Sequence, residues 1–164
     1  MLKKKLILVL GIIAISSSAL FSQVNFHGEF VLPTKENAKP MLGVGLSLVQ
    51  DIRSVDGLAL GGYASYRQVL AKNTYSIQIP FMGLARYYIN RSGFYPQLAL
   101  GGMHYFASSK VFNTRFTSSL TRFAFNLGLG YKLDNGLDFT FSYENIVFKN
   151  ASAHQLSLRL AFAF

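Results

Sequence analysis

The stretch FAFNLGLGYKLDNGLDFTFSYE, residues 123–144, decides the fold class. From Phe123 to Leu133 every second residue is large and apolar, and the residues between them are Ala, Asn, Gly or Lys. The same alternation runs from Leu137 to Tyr143, after an Asp134-Asn135-Gly136 turn that favours a tight hairpin. Because a period of two residues sends alternate side chains to opposite faces of a strand, the stretch predicts two antiparallel strands with one apolar face.

The alternation recurs along the rest of the chain and predicts eight strands in all. The other six are Val24–Leu32, Met41–Val49, Gly57–Gln68, Thr74–Tyr88, Phe94–Phe106 and Gln155–Phe164. Pro80 lies within the fourth strand, where it cannot donate a ladder hydrogen bond. We expect the alternation to continue unbroken through Pro80, which keeps Arg86 on the polar face. The apolar face of this strand then carries Ile77, Ile79, Phe81 and Tyr87.

The predicted connections differ in length between the two ends of the sheet. Asn90–Gly93 and Asp134–Gly136 are short, whereas the connections predicted at the other end include longer ones. That second set, which we expect to face outward, comprises Pro33–Pro40, Val69–Asn73, Ala107–Leu120 and Asn145–Ala153. Short turns at one end and longer loops at the other are typical of outer-membrane barrels, and strands of about 9–11 residues suffice to cross a bilayer. The sheet must then close, because an open edge in lipid leaves backbone groups unpaired.

A soluble lipocalin-like barrel is the alternative with the same number of strands. In that arrangement the large apolar residues point inward around a ligand. The small face, rich in Gly, Ala and Ser with few charges, would then be an unusual surface for a soluble protein. Aromatic residues also recur near the strand ends, where a bilayer has its two interfaces. The pattern therefore favours an all-β, eight-stranded, antiparallel up-and-down transmembrane β-barrel.

The N-terminus has the order of a cleavable export signal. Lys3–Lys5 form a basic segment, Leu6–Ile15 an apolar run, and Ser16–Ala19 a small, weakly polar segment. The apolar run is too short for a spanning helix, which needs about 20 residues, and the absence of cysteine excludes a lipid-anchored signal. We predict a signal peptide over residues 1–22 and one barrel domain over residues 23–164. The formal net charge is +9, and cleavage removes three lysines to leave +6; export argues against nucleic acid as a partner.

Several stretches resemble a known family. Ile79-Pro80-Phe81 running into Ala85–Tyr88, Phe94-Tyr95-Pro96, and Gly128–Tyr131 resemble successive strands of the outer-membrane protein β-barrel domain family, the small eight-stranded barrels of the OmpA/OmpX type. The segment Leu158–Phe164 resembles the C-terminal signal that the barrel-assembly machinery reads, with Phe162 and Phe164 as its aromatic residues. The resemblance implies a fold and an outer-membrane location but no specific activity.

Seven charged residues fall on the small, polar face and are predicted to lie in the lumen. They are Glu29, Arg67, Arg86, Lys132, Asp138, Glu144 and Arg159. The interior of an eight-stranded barrel is only wide enough for side chains, and buried charges are costly without partners. We therefore expect a hydrogen-bonded plug and not a proton or ion path.

Most of the remaining positive charge falls in the segments expected to face outward. This outer basic rim consists of Lys35, Lys39, Lys72, Lys110, Arg115, Arg122 and Lys149, against the single acid Glu36. Lys and Arg pair with phosphate, which suggests binding to lipopolysaccharide head groups. An acidic protein or polysaccharide partner and a merely solvated surface are the alternatives.

No pattern in the chain indicates catalysis. His27, His104 and His154 do not have metal-site spacing, and no G-x-S-x-G motif occurs. His104 with Ser108 and Ser109 is the one place where a rim active site would be sought, and we interpret these as ordinary loop residues. We expect a structural or interaction protein without cofactor or enzymatic activity; a lipid-modifying enzyme is the alternative.

Overall fold

The computed structural model describes residues 23–52, 54–70, 75–91, 93–111, 114–149 and 151–163, and within them eight antiparallel strands close into a barrel in the order β1 to β8. The predicted barrel is confirmed, whereas the predicted signal peptide, Lys72 and Phe164 lie outside the described residues. The strands are β1 (Gln23–Pro33), β2 (Met41–Asp51), β3 (Leu58–Val69), β4 (Tyr75–Tyr87), β5 (Phe94–Val111), β6 (Thr114–Lys132), β7 (Leu137–Val147) and β8 (Ser152–Ala163), with a short 3-10 turn at Ile89–Arg91. In the described part of the chain, no helix has the length and apolar character needed to cross a membrane.

The large apolar side chains point away from the barrel. On β6, Leu127 and Leu129 are 51% and 54% exposed, while Asn126, the residue before Leu127, is buried. All eight strands contribute to this surface, here called the apolar belt. One member from each strand, in order from β1 to β8, is Phe26, Leu46, Leu60, Phe81, Leu100, Leu129, Phe141 and Leu160. This arrangement is the reverse of a lipocalin, whose apolar residues surround an internal ligand.

Pro80 does not shift the alternation of β4. Phe81 pairs with Ala64 and Gln78 with Arg67, so β3 and β4 advance by the same number of residues on either side of the proline. Pro80 and Arg86 are buried, as expected, and Ile79 and Phe81 are exposed. Ile77 lies on the apolar face but is only 9% exposed; it pairs with Gln68 on one side and Phe106 on the other.

The prediction of a long polar loop over Ala107–Leu120 is wrong. β5 and β6 remain paired through this segment, from Phe94 with Tyr131 as far as Val111 with Thr114. Ser and Thr are compatible with a strand whose faces both contact water, and β-branched residues favour it. The predicted loop Asn145–Ala153 is likewise shortened, because β7 continues to Val147 and β8 begins at Ser152.

The two ends of the barrel therefore differ in a way the sequence did not indicate. Gln23 and Ala163 lie at one end, the terminal end, together with the connections 52–57, 88–93 and 133–136. The opposite end, the hairpin end, carries the connections 34–40, 70–74 and 148–151 and the extended β5–β6 hairpin. These three connections are similar in length to those at the terminal end. The asymmetry between the ends lies in that hairpin and not in loop length.

A charge placed in the middle of the apolar belt should destabilise the barrel in a bilayer. We expect Leu127→Arg to lower the free energy of unfolding by about 2–4 kcal/mol, because a cation at mid-depth on a lipid-facing strand must be desolvated. Urea titration of the protein folded in phospholipid vesicles measures this. Leu133→Arg, close to the terminal end, is the matched control and should cost only about 0–1 kcal/mol; equal losses would contradict the position of the belt.

Candidate functional site in the lumen and at the hairpin end

Four strands bring two acids and two bases together inside the barrel. This main cluster consists of Glu29 on β1, Arg67 on β3, Glu144 on β7 and Arg159 on β8, all buried. Arg67 Nε donates to Glu29 Oε2 at 2.5 Å, and Arg67 Nη1 donates to Glu144 Oε1 at 2.7 Å. Arg159 Nε donates to Glu29 Oε1 at 2.8 Å. Each carboxylate thus accepts charge-assisted hydrogen bonds, which compensate for its removal from water.

Neutral side chains complete the main cluster. Ser65 Oγ donates to Glu29 Oε1 at 3.1 Å, and the ring of His27 lies 3.2 Å from both groups through Nε2. Gln155 donates to Glu144, and the Arg159 guanidinium lies 3.9 Å above the centre of the Tyr63 ring. The sequence indicated no metal site at His27 and no role for it among the lumen charges. Its place on the polar face of β1 was readable from the alternation, but its neighbours depend on how the strands are staggered around the barrel.

A second group, the terminal cluster, lies nearer the terminal end. Arg86 Nη1 donates to Asp138 Oδ2 at 2.6 Å, and Arg86 Nε donates to Gln97 Oε1 at 2.9 Å. The Tyr95 hydroxyl also donates to Asp138, and the Arg86 guanidinium lies 4.5 Å from the centre of the Tyr95 ring. Tyr88, just beyond β4, stacks edge-on against Tyr95 at 5.1 Å between ring centres, and burial raises the pKa of its phenol.

The six buried Asp, Glu and Arg side chains of the two clusters balance, three acids against three bases. Lys132 departs from the predicted lumen set: it is half-buried at the end of β6 and donates to Gln23 Oε1 at 2.5 Å. A lysine at the last position of a strand can extend its ammonium group toward water at the barrel mouth. Lys132, the fourth base of the predicted lumen set, therefore lies at the mouth of the barrel and not among the fully buried charges.

Apolar side chains and close strand contacts fill the remaining interior. An apolar layer inside the barrel contains Val49, Ala59, Tyr63, Met82, Leu84, Ala99, Met103, Ala124 and Ile146. On β2, a Cβ on Gly43 would lie 2.8 Å from Arg67 Cγ, and one on Gly45 would lie 2.6 Å from His27 Nε2. The two glycines thus leave space for the side chains of the main cluster. A cavity of about 700 Å³ opens at the terminal end, and its lining residues, among them Asp51, Asp56, Lys132 and Asp134, all belong to that end.

The predicted basic rim is only partly reproduced at the hairpin end. Lys35, Lys39 and Lys149 are exposed there. Arg122 is half-buried and lies on the lumen-facing side of β6, with its guanidinium 5.8 Å from the centre of the Phe148 ring. Arg122 therefore lies at the hairpin end but faces the lumen, because its even position shares the face of Ala124.

Two further rim bases lie on the β5–β6 hairpin. The strand register places Lys110 directly opposite Arg115.

The contacts described for His104 and His154 do not include the candidate pairing of His104 with Ser108 and Ser109. His104 Nδ1 lies 2.8 Å from Thr121 Oγ1, and the side chains of Ser108 and Ser109 are outside the described set. His154, on the outward face of β8, lies 2.9 Å from Ser152 Oγ through Nε2, a contact that we did not predict. No cluster of three or more His, Asp or Glu that could hold a metal occurs among the described residues.

Removing one partner of the main cluster should be far more costly than removing Lys132. Arg159→Leu leaves Glu29 with one fewer buried cationic partner, and we expect a loss of about 3–5 kcal/mol in the free energy of unfolding. Lys132→Leu, the matched control, should cost less than about 1 kcal/mol because its charge lies at the mouth. Urea titrations of both variants in the same detergent measure the difference; comparable losses would refute the assignment of the two bases to different environments.

Comparison with known proteins agrees with this geometry. The family described as outer membrane protein beta-barrel domain matches residues 14–164. None of the curated protein sequences matches the chain.

Among solved structures, the N-terminal β-barrel domain of Pseudomonas aeruginosa OprF aligns with a TM-score of 0.67 at 13% identity, covering 88% of this chain and 98% of that one. Ail, the attachment invasion locus protein of Yersinia pestis, aligns at 0.66 and 15% identity, with 87% and 97% covered. The outer membrane enzyme PagL aligns at 0.57 and 16% identity, with 85% and 99% covered. These likenesses show a shared fold. With residues 14–164 matched, the chain belongs to the outer membrane protein β-barrel domain family.

Proposed function

We propose that the protein resides in the outer membrane of a Gram-negative cell and has a structural or interaction role, with a closed lumen and with its hairpin end facing outward. The observation that carries the proposal is the reversed polarity of the barrel. Large apolar side chains are exposed on every strand, whereas arginines and carboxylates are buried inside. Only a lipid environment makes such a surface favourable, and only a closed ladder satisfies its backbone there.

Aromatic side chains at both ends of the apolar belt support this location. Tyr66, Tyr75 and Tyr143 are exposed toward the hairpin end, and Tyr87 and Tyr131 toward the terminal end. The hydroxyls of Tyr66 and Tyr75 lie 3.3 Å apart. Tyrosine rings favour the two interfaces of a bilayer, where one part of the side chain is apolar and the hydroxyl is hydrated.

The extended hairpin supports the proposed orientation. Outer-membrane barrels keep their periplasmic connections short and extend their outer ones, and here the extension is the continuation of β5 and β6. In this orientation both described chain ends face the periplasm. Phe162 then lies on the outward face of β8 near the periplasmic side, which suits a signal for the barrel-assembly machinery.

The partner that best suits the hairpin end is the phosphate of an anionic lipid such as lipopolysaccharide. Lys35, Lys39 and Lys149 are exposed there, and the outer leaflet would present phosphate groups at that level. Ail, which shares the fold, has been solved in complex with the heparin analogue sucrose octasulfate, a polyanion. That complex supports a polyanion site on a barrel of this type, and we extend it to this chain only as a proposal.

A lipid-modifying enzyme is the second candidate, because Ser152 Oγ lies 2.9 Å from His154 Nε2. A nucleophile and a base at this distance are one part of an active site. The other ring nitrogen, Nδ1, contacts the Tyr143 hydroxyl and the Asn145 amide nitrogen, the latter at 3.0 Å. A ring that accepts hydrogen bonds at Nδ1 carries its proton on Nε2 and cannot take a proton from Ser152. We therefore propose a role without catalysis.

The closed lumen predicts that the purified protein does not conduct ions. Two hydrogen-bonded charge clusters and an apolar layer occupy the interior, so we expect no reproducible single-channel steps in planar-bilayer recordings. Detergent without protein serves as the control for leaks. Steps of constant amplitude that appear only with the folded protein would overturn the closed lumen.

The proposed lipid contact predicts a charge-dependent interaction with lipopolysaccharide. Changing Lys35, Lys39 and Lys149 together to Gln should weaken binding to the purified lipid by about tenfold, since each exposed pair contributes about 0–1 kcal/mol. Binding by the wild-type protein should fade as salt rises. Arg91→Gln, in the short turn Ile89–Arg91 at the terminal end, is the control and should leave binding unchanged. Equal binding by wild type and the triple variant at low salt would exclude these lysines as the lipid site.

A further inference from the structure

The strand β6 is paired over unequal lengths on its two sides. On one side it pairs with β5 from Thr114 to Tyr131, whereas on the other it pairs with β7 only from Phe123 to Lys132. Among the described residues, the segment Thr114–Arg122 therefore has a strand neighbour on one side only. This segment is here called the free edge. Its backbone N–H and C=O groups on the open side can pair with an added strand.

Between Arg115 and Arg122, which lie near its two ends, nothing in the composition of the free edge protects it from pairing. Residues 116–121 are Phe-Thr-Ser-Ser-Leu-Thr, which include neither charge, proline nor glycine. Proteins usually blunt an exposed edge with Lys, Pro, a bulge or a very short strand. Here Thr117, Ser118 and Ser119 are exposed, and the pairing with β5 runs without a bulge from Val111–Thr114 to Phe94–Tyr131. The free edge is thus a regular template for another strand.

Side chains at the base of the hairpin hold it in place. Phe148, immediately after β7, lies 5.9 Å from Tyr105 between ring centres and packs under the guanidinium of Arg122 at 5.8 Å. These contacts fix the free edge at the point where β7 ends. An incoming strand would lie next to β6 in line with β7, beyond the point where β7 ends. The free edge would need little further ordering to pair with it.

The charges around the free edge indicate the chemistry of its partner. From Gly57 to Leu133 the chain contains no Asp or Glu, and Lys110, Arg115 and Arg122 lie on the hairpin itself. A second copy of this chain would bring the same bases together, which is unfavourable. An acidic segment instead provides complementary charge, which suppresses wrong partners and speeds association.

We propose that the free edge docks an extended, acidic segment of another protein by strand addition. Main-chain hydrogen bonds supply the affinity in this mode, and alternate side chains supply the specificity. The proposal rests on the interaction role proposed above for the hairpin end, but it does not require lipid binding. It can be tested in zwitterionic detergent without lipopolysaccharide. A negative result there would count against strand addition and would say nothing about the proposed lipid contact.

The test uses a synthetic peptide of alternating Val and Glu residues added to the wild-type protein. We expect binding, together with slower hydrogen exchange at alternate amides within Thr114–Arg122, because an added strand protects only the N–H groups on the open side. A peptide with Lys in place of Glu should bind at least about tenfold more weakly. A Val–Glu peptide N-methylated at alternate residues on its pairing side should lose the protection even though its charge is unchanged.

Proline variants locate the pairing on the protein. Successive N–H groups of a strand point to opposite sides, so one of Ser118→Pro and Ser119→Pro removes a donor from the open side and the other a donor to β5. The variant that loses the open-side donor should abolish peptide binding while the protein remains folded. No binding of the Val–Glu peptide, or binding without protection in the free edge, would overturn the proposal. Protection that instead rises with protein concentration alone would assign the free edge to a second copy.

Discussion

The structure depends on one constraint, which is that every backbone N–H and C=O group within the apolar belt must find a partner in the protein itself. Each unpaired group in hydrocarbon costs several kcal/mol. The ladder therefore runs without an open side from β1 through β8 and back to β1. Closure with eight strands then fixes a narrow interior, and the pleat sends every second side chain into it. The outward apolar surface and the filled lumen are both consequences of this closure.

A narrow lumen determines which charges can be kept inside. Glu29 is surrounded by Arg67 and Arg159, and Asp138 by Arg86 and Tyr95, so that each carboxylate has its hydrogen bonds satisfied by side chains from several strands. Arg159 and Glu29 face each other on the adjacent strands β8 and β1, whereas the bonds from Arg67 to Glu29 and from Arg86 and Tyr95 to Asp138 link strands that are not neighbours in the sheet. These side-chain hydrogen bonds stabilise the barrel in addition to the backbone hydrogen bonds between strands. Lys132, which the interior could not balance, lies where water reaches it.

The alternation in the sequence predicted the fold, the face of nearly every strand residue and the continuity of β4 through Pro80, because a period of two is a local property. It also predicted six of the charges that are buried in the lumen, whereas Lys132 lies at the mouth and the lumen-facing Arg122 was predicted for the rim. It did not predict that Arg67 bridges Glu29 and Glu144, because contacts across a barrel depend on the stagger of strands far apart in the chain. Ala107–Leu120 was misread because its Ser and Thr residues suggested a loop, whereas strands outside a bilayer tolerate polar residues on both faces. Arg122 lies two residues beyond that predicted loop and was assigned to the rim by its place next to it, although its even position in the alternation, shared with Ala124, predicts a lumen-facing side chain.

The pairing between β6 and β7 ends at Phe123 with Val147, and this point limits how far the hydrocarbon layer of the membrane can extend toward the hairpin end. From this point toward the terminal end, the backbone groups on both sides of β6 are paired within the protein. Toward the hairpin end, the groups on one side depend on water or on a partner. A thinner bilayer would leave part of the apolar belt in water at a modest cost per ångström, whereas a thicker one would draw the unsatisfied backbone of Thr114–Arg122 into hydrocarbon at several kcal/mol for each unpaired group. The barrel should consequently tolerate thinning of its bilayer better than thickening, so membrane thickness would act on this protein through one strand edge.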